Sequence, residues 1–361
     1  MSKKIQRRGL FIKNQSKAHL IKKWGFSCIA GLGIFYGYIF LWPVVPSKPN
    51  ISNQQAYKVK IRAQSGLTSI GLQLKEQGVD TGSIELQISA RLLFIGSKLK
   101  PGTYLFPLDA SLGKILLQIA RGDRIRESLA IIPGMTIWQL RAIVDAHPAL
   151  IHQTKGMSSK ELVQSLGLSY PGDEGIFLPD TYIFDPDEPD INIYRKASQS
   201  MQKELTKTWT QKEATSPLKS PYELLILASI VEKETGRSSD RELIAAVFAN
   251  RLNMGMPLQT DPTVIYGIGP KFDGNLRKTD LRRDNPYNTY MRKGLPPTPI
   301  AMPSKESIQA ASHPAVSNAL YFVAKGDGSS HFSRSLNEHE AAVNLYQRKS
   351  SSKASTSNAT N

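Results

Sequence analysis

The stretch Leu-Ile-Leu-Ala-Ser-Ile-Val-Glu-Lys-Glu-Thr-Gly, residues 225–236, runs through six apolar side chains and one serine and then meets Glu232, Lys233 and Glu234. A carboxyl group in the last turn of a helix feels the partial negative charge of the helix C-terminus, which disfavours ionisation. Partial burial along an apolar helix acts in the same direction. A carboxyl that keeps its proton near neutral pH is what a general acid requires. Glu232 lies on one helical face with Leu225, Ala228 and Ser229, and the two small residues leave room beside it. Glu234 sits about 200° further round the helix. It is left without a role, either holding an arginine such as Arg251 or facing a ligand. On the helix alone, the plainer reading is that these charges mark where a buried helix reaches water.

Two later loops carry a second set of candidates. "MGMPLQTDPTVIYG" and "NPYNTYMRKGLPPTPIAMPS" place Gln259, Asp261, Tyr287, Asn288 and Tyr290 among several prolines. Amides, hydroxyls and tyrosine rings on stiffened loops suit a sugar, which presents both hydroxyls and flat apolar faces. The competing reading is that these residues only build turns, with Asp261 before Pro262 capping a helix. His313, His331 and His339 lack the grouping of zinc ligands, and the chemistry outlined here requires neither metal nor cofactor.

The elements that position these residues follow from pattern. Ser220-Pro221-Tyr222-Glu223 has the serine cap, the proline at the first helical position and the glutamate of a capping box. Gly236 suits a helix end. A helix over about 221–235 follows, and a second one with an apolar stripe from Leu243 to Leu252 makes a helical hairpin with it. "ALYFVAKGDGSSHFSRS" reads as a β-hairpin around Gly326-Asp327-Gly328. Nearer the N-terminus, "YKVKIRA" alternates like a half-buried strand, and strands and helices over 57–132 form a small α+β module. "EGIFLPDTYIFDPDEPD", residues 174–190, reads as a proline-rich connection. The fold class expected is α+β: an N-terminal transmembrane helix, a small module, a connecting region over 133–190, and a mixed α+β catalytic domain over 191–347. Residues 348–361 have the composition of a disordered tail.

The 361 residues carry a formal charge of +16. Half of that excess is in the first 23 residues, which hold eight Lys or Arg and no acid. That placement argues against a nucleic-acid binder, which needs a basic face on its folded part. Trp24 to Val45 then runs for 22 residues without a charge, and a helix of about 20 residues crosses a bilayer. The basic tail marks its own side as cytoplasmic, and Trp24 and Trp42 sit where interfacial indoles are expected. No small-x-small cleavage site follows, so an uncleaved anchor is expected rather than a signal peptide. Residues 46–56 read as a linker. The single cysteine, Cys28, cannot form an intramolecular disulfide.

Four ordered motifs resemble one family. "ILASIVEKETG", "AAVFANRLNMGMPLQTDPTVIYG", "NPYNTYMRKGLPPTPIAMPS" and "LYFVAKGDGSSHFS" are similar, in order and spacing, to those of the endolytic murein transglycosylases, the YceG-like family. "EGIFLPDTYIF" resembles a further motif of these proteins, and the small module resembles a LysM domain. The resemblance implies a lytic transglycosylase that cleaves the MurNAc-GlcNAc bond within peptidoglycan strands and leaves a 1,6-anhydroMurNAc end. It implies that Glu232, the first acid of Glu-Lys-Glu-Thr, is the catalytic residue. Glycan strands, membrane lipid through the anchor and cell-wall synthases are the partners expected, in the plasma (inner) membrane with the catalytic domain outside. It also implies that the enzyme limits the length of new strands. The alternative is a non-catalytic, murein-binding scaffold. The topology has its own check: alkaline phosphatase fused after Asn50 is expected to be active in a bacterial host, and an inactive fusion refutes the orientation.

Overall fold

The computed structural model describes residues 29–45 and 56–348. The basic tail, Trp24 to Cys28, most of the expected linker and the C-terminal tail lie outside the described residues. The chain divides into two compact units, Met1–Arg126 and Glu127–Asn361.

In unit 1, residues 29–41 are helical (α1). Then come β1 (Ala56–Ile61), α2 (Leu67–Glu76), α3 (Ser83–Leu92), β2 (Gly102–Pro107) and α4 (Leu112–Arg121). β1 and β2 pair antiparallel, from Ala56 opposite Pro107 to Ile61 opposite Gly102. Alternation does the work expected of it: Tyr57, Val59 and Ile61 face inward with Tyr104 and Phe106, over Leu74, Leu86 and Ile115. Gly122 ends α4 in the left-handed conformation, φ +82°, which glycine adopts without a Cβ penalty.

The apolar N-terminal segment departs from expectation at its end. Val44 and Val45 are buried in the core of unit 1, and the Val44 N–H donates to the Ala110 carbonyl at 2.9 Å. The last residues of the expected span therefore belong to the packing of the module. Among the described residues, no helix is long and apolar enough to cross a membrane.

Unit 2 begins earlier than the sequence suggested. β3 (Glu127–Ile131), expected as the last strand of the small module, pairs antiparallel with β5 (Asp180–Phe184). Leu129, Ile131, Tyr182 and Phe184 are buried in the core of unit 2. The 174–190 stretch is consequently no boundary: Ile176, Phe177 and Leu178 are at most 3% exposed. An extended run loaded with apolar and aromatic side chains buries them by pairing, whatever its proline content. Between these strands lie α5 (Ile137–Asp145), β4 (Leu150–Ile151) and α6 (Ser159–Ser165); β4 pairs parallel with β6 (Glu188–Pro189), which follows β5.

The rest is mainly helical: α7 (Ile191–Thr210), α8 (Pro221–Glu234), α9 (Arg241–Asn253), α10 (Asp261–Ile268), α11 (Lys278–Arg282), α12 (Lys305–Ser312) and α13 (Leu336–Val343). The expected β-hairpin is β7 (Tyr321–Ala324) with β8 (Ser330–Ser333). α8 is the central element. Every residue from Leu224 to Val231 is buried, and α7, α9, α10 and α12 all pack on it. A helix enclosed on all sides needs no polar stripe, which is why its sequence is apolar all round.

One buried acid ties the start of α5 to the core. The Glu174 carboxyl accepts from the Ile137 N–H at 2.9 Å and from the Gly175 N–H at 3.1 Å. Gly175 has φ +77°, and a Cβ there would lie 2.4 Å from Pro299 Cβ, so only glycine fits. Burial pushes the Glu174 carboxyl up to about 8 from the ordinary 4.5, with the Asp173 charge adding to it and the hydrogen bonds opposing it. Between those two values the folded chain holds a proton that the unfolded chain has released. That part of the stability is full below the ordinary carboxyl pKa, falls as pH rises toward 8 and is flat above it. Glu174→Gln is therefore expected to flatten the loss of urea stability between about pH 5 and about pH 9 by on the order of 3 kcal/mol. An unchanged slope contradicts the buried proton.

Candidate active site

The start of α8 is fixed locally. Ser220 Oγ accepts from the Glu223 N–H at 3.1 Å, Pro221 occupies the first turn, and the Thr235 N–H returns to the Val231 carbonyl at the other end. This frame settles where the two glutamates of the last turn point.

Glu232 points back into the structure. Its Oε2 accepts from the Ser304 N–H at 2.8 Å and from the Ser304 hydroxyl. Ser304 is the N-cap of α12 and accepts from the Ser307 N–H at 3.2 Å. Ser229, on the same face of α8, takes the Ile300 N–H at 3.0 Å. Together these two side chains bind the 300–304 segment to α8. The room that the small residues leave beside Glu232 is filled by this segment, and Glu232 is absent from the lining of the cleft described next. In this position Glu232, the expected acid, anchors the 300–304 segment to α8.

Glu234, about 200° away around the helix, opens onto a cleft of about 630 Å³. Its Oε1 accepts from the Thr260 hydroxyl. Loss of hydration raises its pKa above the usual carboxylate value; the Thr260 hydrogen bond acts against that shift and the Asp261 charge with it. Gln259, Asp261 and Tyr290 line the same cleft. Three of the five loop residues singled out by type are thus brought together around the glutamate that had no assigned role.

The loops are held by their threonines. The Gln259 N–H donates to the Thr289 carbonyl at 3.1 Å and the Thr260 N–H to Thr289 Oγ1 at 3.1 Å. Thr263 Oγ1 and Thr289 Oγ1 lie 2.8 Å apart. Gln259 has φ +51°, a conformation costly for a residue with a Cβ and found where surrounding structure over-determines the backbone. Asp261 is the first residue of α10 and takes the Tyr290 hydroxyl at 2.6 Å. Burial, followed by this bond, raises the Tyr290 pKa, so its hydroxyl stays protonated as a donor.

Tyr287 and Asn288 are not cleft residues. The Tyr287 hydroxyl pairs with Thr298 Oγ1 at 2.9 Å, and its ring meets Tyr266 edge to face with centroids 4.8 Å apart. Asn288 is fully buried. Its amide nitrogen donates to the carbonyls of Asp280, Leu281 and Arg283, and its Oδ1 accepts from the Tyr290 N–H at 2.9 Å. It builds the loop that carries Tyr290.

The sequence reading named Arg251 and His339 but did not bring them together with Tyr321 as the opposite wall. Arg251 donates to the carbonyls of Leu320 and Leu258, each at 2.7 Å, and its guanidinium lies 5.1 Å from the centre of the Tyr321 ring. His339 stacks on Tyr321 with ring centroids 5.2 Å apart. Burial and the Arg251 charge lower the His339 pKa, which favours the neutral imidazole. These residues come from three elements far apart in the chain, and nothing in their local spacing joins them. Among the described residues, one group has metal-ligand reach, Asp145, His152 and Asp190. Asp190 already accepts from Gln153 and Thr154, and none of the three lines the cleft.

Comparisons with known proteins agree with one another. The model of the YceG-like family matches residues 59–345. An endolytic murein transglycosylase of Bacillus subtilis (strain 168) is 40% identical over 173 residues, 48% of this chain and 48% of that protein. One from Streptococcus pneumoniae serotype 2 is 26% identical over an alignment covering 91% of this chain and 65% of that protein. The chain thus spans about half to two thirds of the length of these curated relatives. A crystal structure of a putative yceG-like protein from Listeria monocytogenes, 28% identical, covers 80% of this chain and 98% of its own, with a TM-score of 0.50.

The Thr260 contact can be tested directly. Thr260→Val removes the one hydroxyl that favours the ionised form of Glu234, so the Glu234 carboxyl is expected to titrate at a higher pH than in the parent. Carboxyl carbon chemical shifts of labelled glutamate report this. A midpoint unchanged or lower contradicts the contact.

Proposed function

This chain belongs to the YceG-like family, and from that premise we propose that it is a membrane-anchored endolytic murein transglycosylase with Glu234 as its acid and base. The observation that carries this reading is the desolvated Glu234 carboxyl, opening onto the cleft shared with Gln259, Asp261 and Tyr290.

The chemistry needs one carboxyl. Protonated Glu234 gives its proton to the glycosidic oxygen between MurNAc and GlcNAc as the bond from C1 to that oxygen breaks. The carboxylate so formed takes the proton of the MurNAc C6 hydroxyl, whose oxygen bonds to C1 of the same ring. The products are a 1,6-anhydroMurNAc end and a free GlcNAc hydroxyl, and Glu234 ends protonated as it began. No water is consumed. An intramolecular nucleophile has a high effective molarity, which removes the need for a protein nucleophile. The amide of Gln259 supplies donors for sugar oxygens, and the Tyr290 oxygen, whose proton goes to Asp261, accepts from a sugar hydroxyl.

Asp261 in the same cleft favours a second reading. Glycoside hydrolases use two carboxyl groups, and Glu234 with Asp261 would make such a pair. The Asp261 carboxylate already accepts the Tyr290 hydroxyl, which suits a positioning role better than that of a base for water.

The anchor and the small module complete the proposal. The uncharged run from Trp24 to Val45 supports a single crossing of the plasma (inner) membrane, with the N-terminus cytoplasmic and Glu234 on the outer side. The β1-α2-α3-β2 order with antiparallel outer strands supports a LysM-like reading of unit 1. Anchoring beside the site of synthesis would let the enzyme limit nascent strand length near the synthases.

Incubation of the full chain in detergent with glycan strands, followed by mass spectrometry, separates the readings. Anhydro ends are expected; reducing ends make it a hydrolase. Glu234→Gln is expected to lower kcat by about 100-fold or more. Glu232→Gln is expected to lower the melting temperature while the folded fraction keeps its reaction. Loss of turnover in a folded Glu232→Gln variant, with Glu234→Gln active, overturns the assignment.

A further inference from the structure

The small module carries an apolar surface that its own core does not use. On α3, Leu86, Ser89 and Ala90 are buried. Ile84, Ile88 and Arg91, at helical spacing, form the opposite face and are exposed. Ile84 is 75% and Ile88 45% exposed. Phe94, just beyond the helix, is 86% exposed and has φ +55°. A bulky residue in the left-handed region is an outlier, and here it holds an aromatic ring out from the surface. The exposed charges from residue 84 to residue 98 are Arg91 and Lys98; Glu85 is half-buried and caps the Gly82 N–H.

The position of this face relative to α1 gives it a meaning. The Tyr36 hydroxyl on α1 donates to the Leu92 carbonyl at the end of α3 at 3.1 Å. Ile39 is fully buried, and a Cβ on Gly113 of α4 would lie 2.8 Å from the Phe40 ring. The module is thus attached along the last turns of α1, not only beyond its end. Tyr36 precedes Trp42 by six residues, about 9 Å along a helix axis. With α1 in the bilayer and Trp42 at the interface, the end of α3 lies about 9 Å deeper than Trp42, at the boundary between headgroups and chains.

We propose that the Ile84, Ile88 and Phe94 face of the small module is a second membrane-contact surface, seated in the interfacial layer of an anionic phospholipid bilayer with Arg91 and Lys98 on lipid phosphates. The proposal rests on the anchor reading above. An amphipathic surface with basic residues beside its apolar side chains is the kind that lies in this layer, and lysine and arginine near an anionic surface add electrostatic attraction. The consequence is a module held against the membrane in a fixed orientation.

The full chain, in a Cys28→Ser background and reconstituted into phosphatidylcholine–phosphatidylglycerol vesicles, provides the test. An environment-sensitive fluorophore is attached in turn to Phe94→Cys, Ile88→Cys and Leu105→Cys. Leu105 is also exposed, at 41%, but alternates with core residues Tyr104 and Phe106 and points from the opposite face of the sheet. A spin-labelled lipid is expected to quench positions 94 and 88 at least about threefold more than position 105. Arg91→Glu with Lys98→Glu is expected to reduce the quenching at 94 at least about twofold. Unchanged quenching in that variant overturns the phosphate contact. Vesicle-bound protein with position 94 quenched no more than 105 overturns the surface and leaves the anchor standing. Protein that does not float with the vesicles overturns the anchor, and the surface with it.

Discussion

The enclosure of α8 is the constraint on which the rest of unit 2 depends. Eight consecutive residues, Leu224 to Val231, are buried, and each apolar side chain withdrawn from water contributes about 1.5–3 kcal/mol. With its rotation fixed by that burial, the helix cannot choose which of its last-turn side chains meets which neighbour. Glu232 is delivered to the cap of α12 and Glu234 to the loops before α10. Two carboxyl groups two residues apart thereby acquire opposite circumstances. One faces backbone and side-chain donors at a helix N-terminus; the other loses its water and keeps a single hydroxyl donor.

The two carboxyls also show how one helix end is tied to two separate parts of the chain. The contact between Glu232 and Ser304 closes a connection 72 residues long, and it holds the 300–304 segment against α8. Thr260 and Thr289 do the equivalent for the cleft side, where their hydrogen bonds tie the loop of Gln259 to the loop of Tyr290. Arg251, spanning the carbonyls of Leu258 and Leu320, joins the loop after α9 to the β-hairpin and completes the opposite wall.

Much of this frame was legible in the sequence where the signal is local. The serine, proline and glutamate at 220–223 gave the start of α8, Gly326-Asp327-Gly328 gave the hairpin, and residue chemistry alone singled out Gln259, Asp261 and Tyr290. What was not legible depended on distant partners. Glu232 and Glu234 are distinguished by Ser304 and Thr260, and neither is implied by the helix that carries the acids. Tyr287 and Asn288 have the residue types of a sugar site but spend their polar atoms on Thr298 and on the carbonyls of the 280–283 turn. β3 went to the wrong unit because its partner, β5, lies about 50 residues on, in a stretch whose prolines resemble a linker.

The most direct test of the central claim is a crystal structure of the Glu234→Gln variant with a glycan strand bound. A scissile glycosidic oxygen within about 2.6–3.2 Å of the side chain at position 234 is predicted, with Gln259 and Tyr290 on neighbouring sugar oxygens. A strand bound away from this cleft, or with its scissile bond at Glu232, would contradict the account.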